Sequence, residues 1–428
     1  MKIFFVSMGC AKNTADSEHL TAQLEALGHE ITDKSSGSDV AIINTCGFIQ
    51  DAVKENIDAI LDLEKLKADG EIKKIIVAGC LVNRYEEELR KELPTIDLFV
   101  RSEEWDKVIN FLGGTKSFNC PPVSHAINNN YWTRYLKISE GCSTLCSYCA
   151  IPLIRGRLRS VPLKQLIDEA LMLCAGGARE LCLVGQDLTV YGQDIGTDLR
   201  TLIHTLNAEL PAGTWLRLLY LHPNRTDKAL IDFLMSQDKV LRYLDVPIQH
   251  ADPEILSRMN RPSPKGHMQE IFRYIRSIDP LFALRTTIMT GFPGETEKNF
   301  RQVMDFVSEI EFDRLGAFVY SPEEGTRAAE FPEQVSRDTA EDRCARLMEL
   351  QAEISQDRSE MFIGRDIDVL VEEIDEEAGE VWGRSFRDAP EVDGLVCVSG
   401  SAELGDMIRA NIYDCNENDL FGEVINDD

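Results

Sequence analysis

The chain has 428 residues, 43% of them apolar, which is material for two to four domains with buried cores. A formal charge of −28 excludes broad, nonspecific binding to a phosphate backbone and suits a basic partner better. No apolar run approaches the roughly 20 residues needed to cross a bilayer, and residues 1–7 are too short for a signal peptide. A cytoplasmic protein without membrane contact is therefore expected. In that compartment the twelve cysteines are ligands or buried hydrophobes, not disulfides.

Residues 1–118 alternate short apolar runs (3–7, 40–44 and 74–78) with helical patterns at about 14–27, 50–67 and 85–93. Such alternation predicts a parallel sheet with helices on its faces. Asn119-Cys120-Pro121-Pro122 and Asn128-Asn129-Asn130 read as a linker. Residues 131–360 repeat the alternation, with strands expected at 135–139, 180–184, 215–220, 243–246, 283–289 and 315–320. Six such units suit a partial TIM-like barrel, with a charged exit helix over about 338–361. Residues 361–428 change to short β-type runs at 367–373, 380–384, 395–398 and 407–414, the pattern of a small antiparallel β-barrel. This last unit holds nineteen acids against four bases.

Cys142, Cys146 and Cys149 form a C-x3-C-x2-C loop directly after the first barrel strand. Three thiolates so spaced can hold one face of a [4Fe–4S] cluster and leave the fourth iron open for a small molecule. Barrel chemistry also sits at the C-terminal ends of strands. A structural zinc loop or three buried cysteines is the alternative, although zinc would take a fourth nearby ligand. Cys10, Cys46 and Cys80 are far apart in sequence, yet each follows a predicted parallel strand. The carboxyl ends of such strands line one crevice, so these three are expected to converge unless they are merely buried near turns. Cys120, Cys174, Cys182, Cys344, Cys397 and Cys415 show no ligand-like spacing.

The cysteine loop, with an aromatic before its last cysteine, resembles the radical-SAM superfamily. Met8-Gly9-Cys10-Ala11-Lys12-Asn13, Asn44-Thr45-Cys46-Gly47-Phe48, Ala78-Gly79-Cys80, Pro247-Ile248-Gln249-His250, Thr290-Gly291-Phe292-Pro293-Gly294-Glu295-Thr296 and Tyr320-Ser321-Pro322-Glu323-Glu324-Gly325-Thr326 are similar to the methylthiotransferase family within it. The resemblance implies a second [4Fe–4S] cluster on Cys10, Cys46 and Cys80 that carries or supplies sulfur. It also implies S-adenosylmethionine (SAM) as cofactor. The reaction implied is insertion of a methylthio group into an unactivated C–H bond through a 5′-deoxyadenosyl radical, since general-base catalysis does not reach such a bond at pH 7. An external flavodoxin- or ferredoxin-like electron donor and a sulfur source are the further partners, and the enzyme is expected to be a monomer.

Tyr148, Gln186, Asp187, Gln249, Thr287 and Gly291 stand at strand ends or in the loop where SAM would lie, though each is equally an ordinary loop or turn residue. His250 either lines the barrel mouth or is packed in place. No catalytic residue is singled out beyond the cluster ligands.

The C-terminal unit resembles a TRAM module, a small barrel often used to bind RNA. Its acids would repel a tRNA and steer a basic protein. Residues 320–326 and 9–18 are similar to the branch of the family that modifies an aspartate of the twelfth protein of the small ribosomal subunit. Ala11 departs from the more usual proline there. The alternatives are a tRNA methylthiotransferase acting next to the anticodon, and a non-catalytic iron–sulfur electron carrier or RNA-binding protein.

Overall fold

The computed structural model describes residues 1–115, 124, 131–263 and 266–425. Cys120 and the linker expected at 119–122 and 128–130 lie outside the described residues.

The N-terminal sheet is wholly parallel, with strands β1 (Lys2–Ser7), β2 (Glu30–Thr32), β3 (Ser38–Thr45), β4 (Ile72–Gly79) and β5 (Leu98–Val100) in the order β2-β1-β3-β4-β5. Its central strand reads Val-Ala-Ile-Ile because both faces are covered. Val40 and Ile42 pack on Leu20 and Leu24 of helix α1 (Ala11–Ala26), while Ala41 and Ile43 pack on Ile60 and Leu63 of α2 (Gln50–Ala68). Helices α3 (Cys80–Glu92) and α4 (Asp106–Phe111) complete this layer. Strands β2 and β5 escape sequence reading because three residues show no periodicity. Helices α1 and α3 begin several residues earlier than predicted. Neither has a side-chain N-cap to mark its start.

The central sheet runs in chain order through β6 (Thr133–Lys137), β9 (Glu180–Val184), β10 (Trp215–Leu218), β11 (Val240–Asp245), β12 (Ala283–Thr290) and β13 (Arg314–Val319), all parallel. A short antiparallel pair, β7 (Ser139–Glu140) with β8 (Arg159–Ser160), closes the base of the cysteine loop and its following helix α5 (Ile151–Ile154). Helices α6 (Leu163–Ala175), α7 (Leu199–Glu209), α8 (Lys228–Met235), α9 (Pro253–Arg258), α10 (His267–Ile278) and α11 (Glu297–Ile310) connect the strands, and α12 (Arg337–Glu360) leads out.

The concave face of this sheet is filled from two sides. Ala11 and Ala15 of α1 and Ala389 of the C-terminal unit share one cluster with Tyr135, Cys182, Val184, Leu219 and Tyr243. Charged contacts fix both insertions. From α1, Glu18 accepts from Arg134 at 2.7 Å, Asp16 from Lys137, and His19 meets Glu169 at 2.6 Å. Opposite them, Arg217 donates to the Ser385 and Phe386 carbonyls, and Tyr243 donates to Asp393 at 2.8 Å.

The C-terminal unit is a closed five-stranded barrel in the order β14-β15-β16-β18-β17, comprising β14 (Asp366–Asp375), β15 (Glu380–Arg384), β16 (Val396–Ser399), β17 (Met407–Cys415) and β18 (Leu420–Val424). It is antiparallel except between β16 and β18, which pair in parallel. A ring of five strands cannot alternate direction throughout, so one parallel pair is unavoidable. Arg384 and Arg387, two of its four bases, are buried at 1% and 0% exposure, and the acid side chains of Asp388 and Asp393 are buried with them, so the outer surface keeps its acid excess.

Candidate cofactor and active site

The sheet register explains why three distant cysteines meet. Ser7 pairs with Asn44, and Asn44 pairs with Ala78, so the three strands end at one level. Gly9 (φ +105°) and Gly79 (φ +101°) then turn the chain sharply into Cys10 and Cys80. These conformations favour glycine, and a Cβ on Gly79 would lie 2.4 Å from the Asn44 Oδ1 and 2.6 Å from the Thr45 carbonyl. Buried Asn13 stitches two of the turns together, its Nδ2 donating to the Met8 and Thr45 carbonyls at 2.8 and 3.1 Å. Burial pushes the Cys80 thiol up to about 11 despite the nearby Arg155 guanidinium. For Cys10 burial is outweighed, and Lys12 with the Asn13 and Lys12 backbone N–H groups draws the thiol below its ordinary value.

The second triad sits on a loop anchored against residues 258–260. Ser147 donates through N to the Met259 carbonyl and through Oγ to that of Arg258, and Asn260 donates to the Leu145 carbonyl at 2.9 Å. Donors also reach its sulfurs: the Thr144 N–H at 3.4 Å from Cys142, and Arg261 Nη1 at 3.6 Å from Cys146. Burial pushes Cys149 up to about 12.

Both triads face one cavity of roughly 350 Å³, with Cys10, Cys46 and Cys80 on one side and Cys142, Cys146 and Cys149 on the other. Lys12, Phe48, Thr144, Tyr148, Arg155, Gln186, Asp187, Tyr220, His222, Gln249 and Arg261 contribute to its walls. Three non-glycine residues here have left-handed backbone, Leu145 (φ +56°), Tyr220 (φ +66°) and Gln249 (φ +69°), and such strain is retained where the surroundings over-determine it. Asp187, its carboxyl raised by burial, accepts from Arg225 at 2.7 Å. Burial, with Arg261 and Arg225 adding to it, depresses His222 to about 2, so this imidazole is neutral.

The residues present fit the groups that the motifs imply. All described cysteines are free thiols, and N–H donors directed at sulfur are a usual means of tuning an iron–sulfur cluster. Among the described residues no three His, Cys, Asp or Glu side chains converge as ligands of a single ion. Among the described residues the buried Oε1 atoms of Gln186 and Gln249 have no hydrogen-bond partner, and both residues line the cavity. Two orphaned acceptors suit a ligand carrying an ammonium, an amino group and hydroxyls, as SAM does.

Of the six residues expected near SAM, Tyr148, Gln186, Asp187 and Gln249 line the cavity, while Thr287 and Gly291 do not. Thr287 stands behind Gln249, whose N–H donates to its carbonyl at 2.9 Å. Gly291 takes φ +76° and packs against Ala340. His250 is fully buried, accepts from the Asp252 N–H at 2.9 Å and faces Glu295, so the packed alternative holds. Cys174, Cys182, Cys344, Cys397 and Cys415 also lie outside the cavity wall. Arg155, Arg261, Tyr220 and His222 were not singled out from the sequence. No motif marks them, because their place in the site is set by tertiary contacts alone.

Residues 2–101 match a family described as Uncharacterized protein family UPF0004, residues 136–307 the Radical SAM superfamily, and residues 363–425 the TRAM domain. The chain is 42% identical to the ribosomal protein uS12 methylthiotransferase RimO of Geobacter sulfurreducens (strain ATCC 51573 / DSM 12127 / PCA), across 99% of this chain and 98% of that one. The chain belongs to the RimO family. It is 40% identical to the RimO of Aquifex aeolicus (strain VF5), over 99% of this chain and 97% of that one. As a RimO-family member it is a radical-SAM methylthiotransferase, a class that uses SAM and a [4Fe–4S] cluster. Its fold is similar to the radical S-adenosylmethionine methyltransferase TsrM from Kitasatospora setae, with a TM-score of 0.54 at 15% identity, covering 74% of each chain. It is also similar to the cobalamin-dependent S-adenosylmethionine radical enzyme OxsB, with a TM-score of 0.54 at 12% identity over 83% of this chain and 62% of that one. Among the described residues of this RimO-family chain no helix is long and apolar enough to cross a membrane.

Proposed function

We propose that this chain inserts a methylthio group at the β-carbon of an aspartate of ribosomal protein uS12, in the cytoplasm, with Cys142, Cys146 and Cys149 holding one [4Fe–4S] cluster and Cys10, Cys46 and Cys80 a second. The observation that carries this reading is the single cavity walled by both triads. A substrate carbon placed there is within reach of a radical source on one side and a sulfur carrier on the other. The three functional units are 1–118, 131–360 and 361–428.

A reduced cluster with SAM, bound at the Cys142 loop, would supply the one-electron chemistry that a non-acidic C–H bond requires. The chain's own residues do the positioning. Gln186 and Gln249 offer acceptors to SAM, Tyr148 flanks it, and the Asp187–Arg225 pair sets the wall between them. Thr287 acts at second hand by holding Gln249, and Gly291 shapes the turn after β12. Apolar cover from Phe48, Ile151, Leu221 and Pro247 keeps water from the reacting centre. The terminal barrel, with nineteen acids against four bases, favours a basic protein over a nucleic acid. An external flavodoxin- or ferredoxin-like donor and a sulfur source complete the requirements, and the enzyme acts as a monomer.

The test is to incubate the reconstituted enzyme, SAM and reductant with uS12 and, separately, with tRNA, and to weigh the products. A methylthio increment on an aspartate of uS12 is the expected result. Its appearance on tRNA alone would overturn the reading.

A further inference from the structure

Three cations line the cavity, Lys12, Arg155 and Arg261, with Arg225 paired to its wall residue Asp187, and they are not equally engaged. Arg155 is held by Asp16 at 3.1 Å and Glu140 at 2.8 Å, and Arg225 by Asp187 at 2.7 Å. Among the described residues Lys12 and Arg261 have no carboxylate within ion-pair distance. Arg261 spans the Cys146 sulfur and the Pro247 carbonyl, on the side of the Cys142 loop. The Lys12 ammonium lies on the other side, two residues from Cys10. It donates to the Gly185 carbonyl at 3.5 Å and stands 4.3 Å from the centroid of the Tyr220 ring. Of the groups whose charge reaches it, Cys10 comes first and is expected to be an iron ligand, while Glu140 is already engaged by Lys137 at 3.1 Å and Arg155. A long carbonyl contact and a ring face leave the half-buried ammonium poorly satisfied. A charge in that condition calls for an anion.

Two carboxylates enter this cavity if the uS12 reading is right, that of SAM and that of the target aspartate. Two cations await them. We propose that Lys12 binds the side-chain carboxylate of the substrate aspartate and so selects an anionic residue for modification. The inference rests on the uS12 reading and deepens it. A carboxylate paired with the Lys12 ammonium holds the adjoining β-carbon between the two triads, because Lys12 springs from the turn carrying Cys10 while its side chain reaches Gly185 at the end of β9. The neutral edge of an adenine would add no counter-charge to the ammonium, so the same residue works against a nucleoside substrate.

The experiment uses reconstituted holoenzyme with SAM and two peptides covering the modified loop of uS12, one with the target aspartate and one with asparagine in its place. Binding is followed by fluorescence anisotropy. Wild-type enzyme is expected to bind the aspartate peptide about tenfold or more tightly than the asparagine peptide, a difference of at least ~1.4 kcal/mol. In Lys12→Met the ratio should fall to within about twofold, and Lys12→Arg should restore part of it. The wild-type comparison needs no variant, so it stands even if Lys12→Met folds poorly. Iron content and SAM affinity are measured alongside. Wild-type enzyme that binds both peptides equally would overturn the assignment of Lys12 while leaving uS12 as substrate. A ratio retained in Lys12→Met, with SAM affinity lost instead, would also overturn it and place the SAM carboxylate on Lys12. Binding of neither peptide, with methylthiolation of tRNA, would sink the uS12 reading itself.

Discussion

The Arg155 Nε donates to the Cys80 sulfur at 3.0 Å, so a side chain six residues beyond Cys149 is bonded to the last cysteine of the other triad. The same guanidinium reaches Asp16, Glu140 and the Asn13 Oδ1, at 3.1, 2.8 and 2.5 Å. It is 4% exposed. Removing one partner of such a buried network leaves charges uncompensated, at about 3–5 kcal/mol. Arg155→Leu should lower the stability of the cluster-free protein by that amount in denaturant titrations, with a matching loss of iron bound at Cys10, Cys46 and Cys80.

The two triads should separate in their products. Alanine at Cys142, Cys146 and Cys149 is expected to abolish release of 5′-deoxyadenosine from SAM. Alanine at Cys10, Cys46 and Cys80 should leave that release in place and stop methylthio transfer. Each triple variant should lose about four irons, counted by iron and sulfide analysis with Mössbauer spectroscopy. Identical behaviour of the two variants would refute this division of labour.

Glu180 accepts from Arg217 at 2.5 Å and from Arg384 at 2.6 Å, with all three side chains at or below 1% exposure. Burial alone would raise its carboxyl, but the two guanidinium groups hold it at about 2. A carboxyl depressed on folding stabilises the protein above its unfolded value of about 4.3 and loses that contribution as pH falls toward 2. The shift corresponds to about 3 kcal/mol. Denaturant midpoints of wild type and Glu180→Gln should therefore differ clearly at pH 6 and approach each other at pH 3.

Glu323, in the stretch that resembles the ribosomal-protein branch, is 3% exposed and points away from solvent. It accepts from Arg84 at 2.8 Å and from the Gln50 N–H at 3.2 Å, while Arg84 also donates to the Gly47 carbonyl beside Cys46. This residue is a clasp between the two sheets. Glu323→Ala should speed amide hydrogen exchange over residues 46–52 and leave residues 366–424 unchanged.

The strand ends carrying Cys10, Cys46 and Cys80 were legible because an apolar run followed by a turn and cysteine is a local pattern. The same holds for the loop of Cys142, Cys146 and Cys149. Convergence of the N-terminal three followed from parallel topology, although the register of Ser7, Asn44 and Ala78 that enforces it is not local. Arg155 and Arg261 were illegible for the opposite reason. A basic residue in Leu-Ile-Arg-Gly or Asn-Arg-Pro carries no periodicity, and only the folded chain directs it at sulfur. The parallel closure of the terminal barrel was missed with β18, whose Leu-Phe-Gly-Glu-Val is too short and glycine-broken to read as a strand.

The segment 385–393 reaches from the terminal barrel into the concave face of the central sheet, where Ala389 meets Tyr243 and Asp393 accepts from its hydroxyl. The terminal barrel is thus the floor of the catalytic unit as well as its acidic exterior. Cutting the chain near residue 360 would uncover Tyr135, Cys182 and Arg217 and strand Glu180 with half of its counter-charge. A truncated enzyme that failed to modify its target would say nothing about recognition. Charge reversal on exposed acids such as Asp366, Asp368 and Glu376 alters the exterior and leaves the floor intact, so the question of who docks there belongs to those substitutions.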